Sequence, residues 1–224
     1  MTSLSIGAPV SAQIVPDNTL PVNSSVTPGC TTCIINGGTV RGGNLFHSFE
    51  QFSVPTNGTA WFNNAPQIQN ILTRVTGFPS SNIDGLLKTN GSANLFLLNP
   101  NGIIFGRNAR SEIGGSFTAT TATSFQFANG TEFSTINPQA PPLLAVNLTQ
   151  GLQYGPLSSA SVIVNGANLN MPQSLKLFTQ ILDVSGQLQT GKDLTLEAAV
   201  IGFRGQLQAG QHLTLQGSDI SIYD

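Results

Sequence analysis

Charged residues are scarce in this sequence. They make up 8% of its 224 residues, whereas an ordinary soluble domain has about 25%. The net charge is −2, and the few Lys and Arg residues form no cluster. Because nucleic-acid binding depends on clustered cations that neutralise phosphates, no nucleic-acid partner is expected. Asn, Gln, Ser and Thr must supply the polar surface instead, which is typical of an extracellular β protein.

Long hydrophobic runs are also missing. No segment approaches the ~18 consecutive apolar residues of a transmembrane helix. Residues 1–12 end in Val10-Ser11-Ala12, which is similar to the small-residue end of a secretory signal, although a charged n-region and a full apolar core are absent. We interpret residues 1–12 as a signal-peptide remnant or an added start, and expect the mature chain to begin at Gln13.

The sequence has only two cysteines, Cys30 and Cys33. A zinc site would need a second pair of ligands, and only His47 and His212 are available. A redox motif would need a βαβ context, which the surrounding sequence does not provide. The spacing therefore favours a short-loop disulfide that fixes an N-terminal segment in an oxidising compartment. Two free thiols are the alternative.

The rest of the chain is organised around the stretch Ala93–Gly106. Two strand-length apolar runs, Leu95–Leu98 and Ile103–Phe105, flank the tetrapeptide Asn99-Pro100-Asn101-Gly102. Pro presets φ at the second position of a turn, the first Asn can cap the turn, and Gly suits the fourth position of a type I turn. This pattern predicts a strand, a tight corner and a second strand, as in a hairpin or a solenoid.

An internal repeat decides between these two structures. The segment Gly186–Leu196 recurs as Gly205–Leu215 at an offset of 205 − 186 = 19 residues, and a looser copy begins at Gly85. Each copy has a glycine, one inward leucine, a turn and a Leu-x-Leu strand. Leu-x-Leu places both leucines on one face of the strand.

One such unit cannot bury its own leucines, so the units must stack about 4.8 Å apart to form a continuous core. A leucine-rich repeat would need a longer apolar pattern, and a propeller blade would need about twice the length. The repeat therefore predicts a β-helix with about twenty residues per coil. Because the sequence stops inside a further coil, which would expose strand edges, we expect it to be the N-terminal part of a longer repeat protein.

Several other segments carry local predictions. Residues 13–43, rich in Pro and Asn at their start, are expected to form an N-terminal arm or cap. Residues 137–160 are predicted to form an insertion outside the β-helix, and residues 161–224 are predicted to form regular coils. The remaining predictions are strands broken by a bulge or corner over Asn44–Val54, a strand over Thr59–Phe62, a short helix over Ile68–Val75 and exposed strand surface over Gly114–Phe127.

Catalytic groupings are lacking. Polysaccharide-cleaving β-helices need clustered carboxylates on one face, whereas the ten acids here are scattered. The repeat offset places Asp193 beside His212, on a turn where the pair is expected to face solvent. No Ser/His/Asp set or metal-ligand spacing stands out. The chain is not expected to be an enzyme or to hold a metal or cofactor.

The sequence resembles the N-terminal secretion domain, or TPS domain, of two-partner-secretion exoproteins. The likeness is to the filamentous-haemagglutinin type, and above all to its branch with the high-molecular-weight adhesins. The Asn-Pro-Asn-Gly-Ile at residues 99–103 is similar to a hallmark of that family. An upstream Asn-Pro-Asn-Leu of the haemagglutinin branch is absent, and the Cys-x-x-Cys is not a general family feature. The matching stretches span most of the chain: Asn44–Val54, Asn70–Gly77, Ser81–Gly85, Ala93–Gly106, Gly114–Ser124 and Leu143–Gly155.

This resemblance implies an all-β fold, a right-handed parallel β-helix with an N-terminal cap and extra-helical antiparallel strands. It implies export by the general secretory machinery of a Gram-negative-type bacterium. In the periplasm, the POTRA domains of an outer-membrane TpsB β-barrel transporter would then recognise the chain. The domain would nucleate folding of the exoprotein and reach the cell surface or the extracellular space. We expect a monomer.

Two questions stay open at the level of the sequence. Residues Asn99, Pro100, Asn101, Gly102 and Ile103 are either a transporter-recognition site or a structural turn whose Asn side chains cap backbone groups. The alternative function is an adhesin module that binds a glycan or a protein of a host or cell surface directly. Trp61 and Tyr154 would be candidates for such binding, although core or rim positions account for them equally.

Overall fold

The structure, a computed structural model, describes residues 13–138 and 153–223. These residues form β-strands joined by turns and contain no α-helix. The first twelve strands are β1 (Gln13–Pro16), β2 (Ser24–Ser25), β3 (Thr32–Gly37), β4 (Thr39–Arg41), β5 (Asn44–Ser53), β6 (Thr59–Phe62), β7 (Asn70–Val75), β8 (Ser81–Ile83), β9 (Leu86–Thr89), β10 (Asn94–Leu98), β11 (Ile103–Phe105) and β12 (Arg110–Glu112). The others are β13 (Phe117–Thr120), β14 (Ser124–Gln126), β15 (Glu132–Ser134), β16 (Gln153–Tyr154), β17 (Ser161–Val164), β18 (Asn168–Met171), β19 (Leu175–Val184), β20 (Gln187–Thr190), β21 (Leu194–Phe203), β22 (Gln206–Ala209), β23 (Leu213–Gln216) and β24 (Asp219–Ile222).

The strands wind into a parallel β-helix with three faces. The first face is the parallel series β5, β7, β10, β13, β19, β21 and β23, and the second contains β8, β11 and β17 followed by the later halves of β19 and β21 and by β24. The third face contains β3, β6, β9 and β12, and further along it β18, β20 and β22. The predicted right-handed parallel β-helix with a cap and extra-helical antiparallel strands is confirmed.

The 19-residue repeat sets the register of the C-terminal coils, as predicted. Leu175 pairs with Leu194, and Leu194 pairs with Leu213, so equivalent leucines stack at offsets of 19 residues. The earlier coils are longer: Asn44 pairs with Asn70, an offset of 70 − 44 = 26, and Asn70 pairs with Asn94, an offset of 24. These extra residues lie mainly in the corners between the strands.

The first face is covered on both of its sides over β5, β7, β10 and β13. Its inner side contributes to the long core of the β-helix. Its outer side packs under the extra-helical antiparallel sheet of β15, β14 and β16, where eight buried residues form a second hydrophobic cluster. They are Leu20, Phe46, Leu72, Leu98, Ala122, Phe125, Phe127 and Phe133.

Burial on both sides explains why the helix predicted over Ile68–Val75 is wrong. The segment contains strand β7 instead, and it pairs in parallel with β5 and β10. Ile71 and Val75 point into the β-helix core, whereas Leu72 points outward into the second cluster. Inward and outward apolar residues on one strand thus produced a spacing that imitates a helix.

The exposed surface predicted over Gly114–Phe127 is wrong for the same reason. Strand β13 and the two residues after it, Thr121 and Ala122, are buried. The Thr121 and Thr179 hydroxyls lie 2.8 Å apart and satisfy each other by a hydrogen bond between adjacent coils. The extra-helical sheet therefore shields this β-branched, polar strand from solvent.

The broken strand predicted over Asn44–Val54 is a single strand with a bulge. Strand β1 pairs antiparallel with β5, and its register passes from Val15–Gln51 to Pro16–Phe49, which leaves Glu50 unpaired. The strand predicted over Thr59–Phe62 is β6.

The cap and the insertion are described in part. Within residues 13–43, β1 and β4 pair with β5, and β3 joins the third face beside β6. Within the insertion predicted over 137–160, β16 pairs with β14, while residues 139–152 lie outside the described part of the chain. Strand β17 lies in the second face beside β11.

Candidate functional site

The corner between the first and second faces carries the candidate site, and we call it the first corner. In the C-terminal coils the chain passes this corner without leaving its strand, as in β19. In the earlier coils it bulges outward, first at residues 76–80 and then at Asn99–Gly102. The chain that carries the extra-helical sheet leaves the next coil at the same corner, after Thr120.

The tetrapeptide Asn99–Gly102 forms the turn that the sequence predicts. The Gly102 backbone N–H donates to the Asn99 carbonyl oxygen at 3.2 Å. Gly102 has a φ of +109°, a conformation that side chains with a Cβ rarely adopt. The fourth position of the turn therefore requires glycine.

The Asn99 side chain has a structural role. It is fully buried, and its Nδ2 donates to the Pro79 carbonyl oxygen at 3.1 Å and to Ser81 Oγ at 2.9 Å. Its Oδ1 accepts a hydrogen bond from the Asn101 backbone N–H at 2.9 Å. One amide thus closes its own turn and fixes the corner of the preceding coil.

Other candidates in this turn face outward to different degrees. Asn101 is exposed, and its Nδ2 donates to the Gly77 carbonyl oxygen at 2.9 Å. Pro100 is half-buried, and its carbonyl oxygen accepts a hydrogen bond from Ser158 Oγ. Gly102 and Ile103 are buried. Of the five residues predicted from the sequence, only Asn101 and Pro100 present surface to a partner.

This geometry predicts unequal effects for the two asparagines. Asn99→Ala should lower the free energy of unfolding by about 2–3 kcal/mol, because it removes a fully buried amide, leaves the buried Ser81 hydroxyl without its donor and breaks the bonds to the Pro79 carbonyl and from the Asn101 N–H. Asn101→Ala should lower it by about 1 kcal/mol or less, because water can replace the lost bond. Urea unfolding of both variants measures the difference, and equal losses would contradict the assignment.

Arg74 was not singled out by sequence reasoning, yet it joins three parts of the fold. Its fully buried guanidinium donates from Nε to Ser48 Oγ at 2.9 Å in the first face and from Nη1 to the Ser134 carbonyl oxygen at 2.8 Å in the extra-helical sheet. Nη2 donates to Thr19 Oγ1 at 2.8 Å in the N-terminal arm. Its Cζ also lies 4.1 Å from the centre of the Phe133 ring.

Asp17 supplies the nearby negative charge. Burial raises the pKa of its carboxyl, but hydrogen bonds from Ser48, Thr76 and Thr19 outweigh that effect, so the pKa lies below its ordinary value. Burial lowers the pKa of Arg74 to about 10, and the charge of Asp17 opposes that shift. Arg74 therefore remains a cation at neutral pH and holds the arm against the coil.

His47 is a second buried polar group of the cap. Its Nδ1 lies 2.9 Å from Ser24 Oγ, and its ring packs beside Phe49 and Phe62. Nε2 has no hydrogen-bond partner among the described residues. Burial lowers the pKa of His47 to about 3, so the ring is neutral in the folded protein.

Acidification should therefore destabilise the cap before it protonates Asp17. The unfolded chain takes up a proton on His47 below its ordinary pKa of 6.5, whereas the folded chain takes it up only near pH 3. Stability falls as the pH drops through that window, by about 2 kcal/mol between pH 7 and pH 5. His47→Gln should remove this part of the dependence in urea titrations at several pH values. An unchanged dependence would show that His47 does not cause it.

Cys30 and Cys33 form a disulfide, with a Cα–Cα distance of 5.2 Å. Cys33 is fully buried in β3 and belongs to the core of the β-helix, against which Cys30 packs. The disulfide therefore fixes a short loop at the point where the chain enters β3, the first strand of the third face.

The predicted neighbours Asp193 and His212 do meet, with 2.8 Å between Oδ1 and Nδ1. Both side chains face solvent, as expected from their position on a turn. In the described part of the chain, no three His, Cys, Asp or Glu side chains are grouped so that they could hold a metal ion. Nor do residues 13–138 and 153–223 contain a helix long and apolar enough to span a membrane.

The described chain is thus a capped parallel β-helix with an extra-helical sheet and a bulged first corner. The family model "TPS secretion domain" matches residues 12–222 of this chain. The chain belongs to the TPS secretion domain family and is the secretion domain of a two-partner-secretion exoprotein. This family is not an enzyme family.

A solved structure described as the filamentous hemagglutinin secretion domain is similar to this chain. It is 16% identical in sequence, with a TM-score of 0.45, and the match covers 94% of this chain and 99% of that chain. No curated protein matches the chain in sequence.

Proposed function

We propose that this domain is recognised by the periplasmic POTRA domains of a cognate outer-membrane TpsB β-barrel transporter. In this proposal the general secretory machinery delivers the chain to the periplasm as a monomer. The transporter then carries it to the surface of a Gram-negative-type bacterium or into the extracellular space. The observation that carries the proposal is membership of the secretion-domain family over residues 12–222.

The first corner supports recognition of a folded or folding surface. The Asn99 amide is buried and hydrogen-bonded to the preceding coil, whereas Asn101 and Pro100 reach solvent beside it. A transporter that contacts this corner would therefore read a surface whose shape depends on the buried Asn99. Substitutions at the turn would then impair recognition in two separable ways, through the fold and through the contact.

We also propose that the domain nucleates β-helix folding during translocation. Each C-terminal coil stacks on the preceding one in a fixed 19-residue register, and the coils contact mainly their neighbours. The outer edge of the coil formed last offers backbone groups to the next strand in the same register, so coils can be added in sequence as the chain emerges.

Titration of the purified domain with the POTRA domains of the transporter from the same cell tests the first proposal. We expect saturable binding, and loss of affinity in the Asn101→Ala variant with retained β-structure would make the turn a recognition site. Loss only in an unfolded Asn99→Ala variant would make it a structural turn. No binding up to ~1 mM, a free energy near −4 kcal/mol, would contradict the proposal and favour the adhesin module instead.

A further inference from the structure

The bulge of residues 76–80 at the first corner presents an aromatic side chain that no sequence motif marks. Phe78 is 93% exposed, whereas the next most exposed large apolar side chain among the described residues, Ile222, is 68% exposed. Single exposed apolar residues are common on protein surfaces, so exposure alone assigns no role. The setting of Phe78 supplies further observations.

The loop that carries Phe78 is fixed from both sides. Asn99 and Asn101 of the next coil donate to the carbonyl oxygens of Pro79 and Gly77. On the opposite side, a Cβ on Gly77 would lie 2.1 Å from the Glu50 carbonyl oxygen, so the two coils touch there. The side chain is therefore displayed on a preorganised backbone, which reduces the entropy lost on binding.

A cleft of about 520 Å³ lies beside Phe78. Its lining contains the carboxylates of Asp17 and Glu50 and no Lys or Arg. Asp17 is held by hydroxyl groups, whereas the exposed Glu50 makes no ion pair or hydrogen bond with other described side chains. The cleft thus combines an exposed aromatic ring with an uncompensated negative charge.

We infer that Phe78 is an anchor for the POTRA domains of the transporter, which would supply an apolar pocket for the ring and a cationic side chain for Glu50. This inference rests on the proposed function and assigns its contact surface. Aromatic residues that insert into a partner's pocket carry a large share of interface energy. The Asn-Pro-Asn-Gly turn then acts as the support that positions Phe78.

The test is a titration of the whole domain, in five versions, with the POTRA domains of the transporter from the same cell. Phe78→Ala should weaken binding at least about tenfold, and Glu50→Gln should weaken the dependence of affinity on salt concentration. Ile34→Ala is the matched control, because Ile34 is 42% exposed on the third face, on β3. It should bind like the unchanged domain.

The outcomes separate this inference from the proposed function. If the unchanged domain binds and Phe78→Ala binds equally well, the anchor is wrong and the proposed function stands. If the unchanged domain does not bind, both are wrong. Because Phe78 contributes to no buried cluster, its substitution should leave the urea midpoint unchanged, and Phe78→Leu, which keeps an apolar side chain, should recover part of the affinity.

Discussion

Arg74→Met should lower the free energy of unfolding by about 3–5 kcal/mol, the largest effect expected of any single substitution considered for this chain. The change removes the donor that Ser48, Thr19 and the Ser134 carbonyl share, so each of these buried or half-buried acceptors loses one hydrogen bond. It also leaves the charge of Asp17 without the cation beside it. Urea unfolding, followed by circular dichroism, measures the loss.

Two further variants identify the cause. Arg110→Met removes an exposed arginine from β12 and should change stability by no more than about 0.5 kcal/mol. Arg74→Lys keeps the charge but lacks the planar group that reaches three acceptors at once, so it should recover only part of the loss. Full recovery by lysine would mean that charge alone, rather than the three hydrogen bonds, fixes the cap.

Gly191→Ala should lower the free energy of unfolding by about 2–3 kcal/mol. Gly191 belongs to the 19-residue repeat, and a Cβ there would lie 2.3 Å from the Pro172 carbonyl oxygen of the adjacent coil. Gly210, its equivalent one coil later, would meet the Gly191 carbonyl oxygen at 2.2 Å. The repeated glycines thus allow the backbones of successive coils to approach at these turns.

Gly202→Ala is the matched control in the same part of the chain. A Cβ at Gly202 would have its nearest contact at 3.8 Å, which is ordinary van der Waals distance. We expect no loss of stability there, since alanine also restricts the unfolded chain more than glycine does. Comparison of the two urea midpoints isolates the steric effect, and equal midpoints would show that close approach of the coils is not required at Gly191.

The repeat and the turn were the features that sequence reasoning could predict. Spacing of 19 residues between Leu194 and Leu213 fixes the register directly, because stacked coils must place equivalent side chains above one another. The turn at Asn99–Gly102 was predictable because each residue has a local reason for its position. Both signals depend on near neighbours in sequence or on a strict period.

The extra-helical sheet explains why the structure of two other segments was predicted wrongly. It covers the outer side of β7 and β13, so Leu72 and Thr120 are buried on a side that an ordinary half-exposed strand would give to water. The alternation of apolar and polar residues that marks a half-exposed strand is therefore missing from both strands. A helix was predicted over Ile68–Val75 and an exposed surface over Gly114–Phe127 instead. The cover comes from residues far away in sequence, which no local pattern reveals.

The contacts of Arg74 and the exposure of Phe78 could not be predicted from the sequence either. Arg74 bonds to Thr19 and Ser134, which are 55 and 60 residues away. The exposure of Phe78 depends on a bulge at the first corner that differs from the regular coils. Such features follow from the three-dimensional arrangement of coils and have no compact sequence signature.

Export of the chain tests the central claim most directly. The domain, with its secretory signal, would be produced in a Gram-negative host with the transporter, without it, and with a transporter that lacks its POTRA domains. We expect the domain in the culture medium only with the intact transporter and in the periplasm otherwise. Equal amounts in the medium under all three conditions, or retention in the periplasm with the intact transporter, would contradict the account.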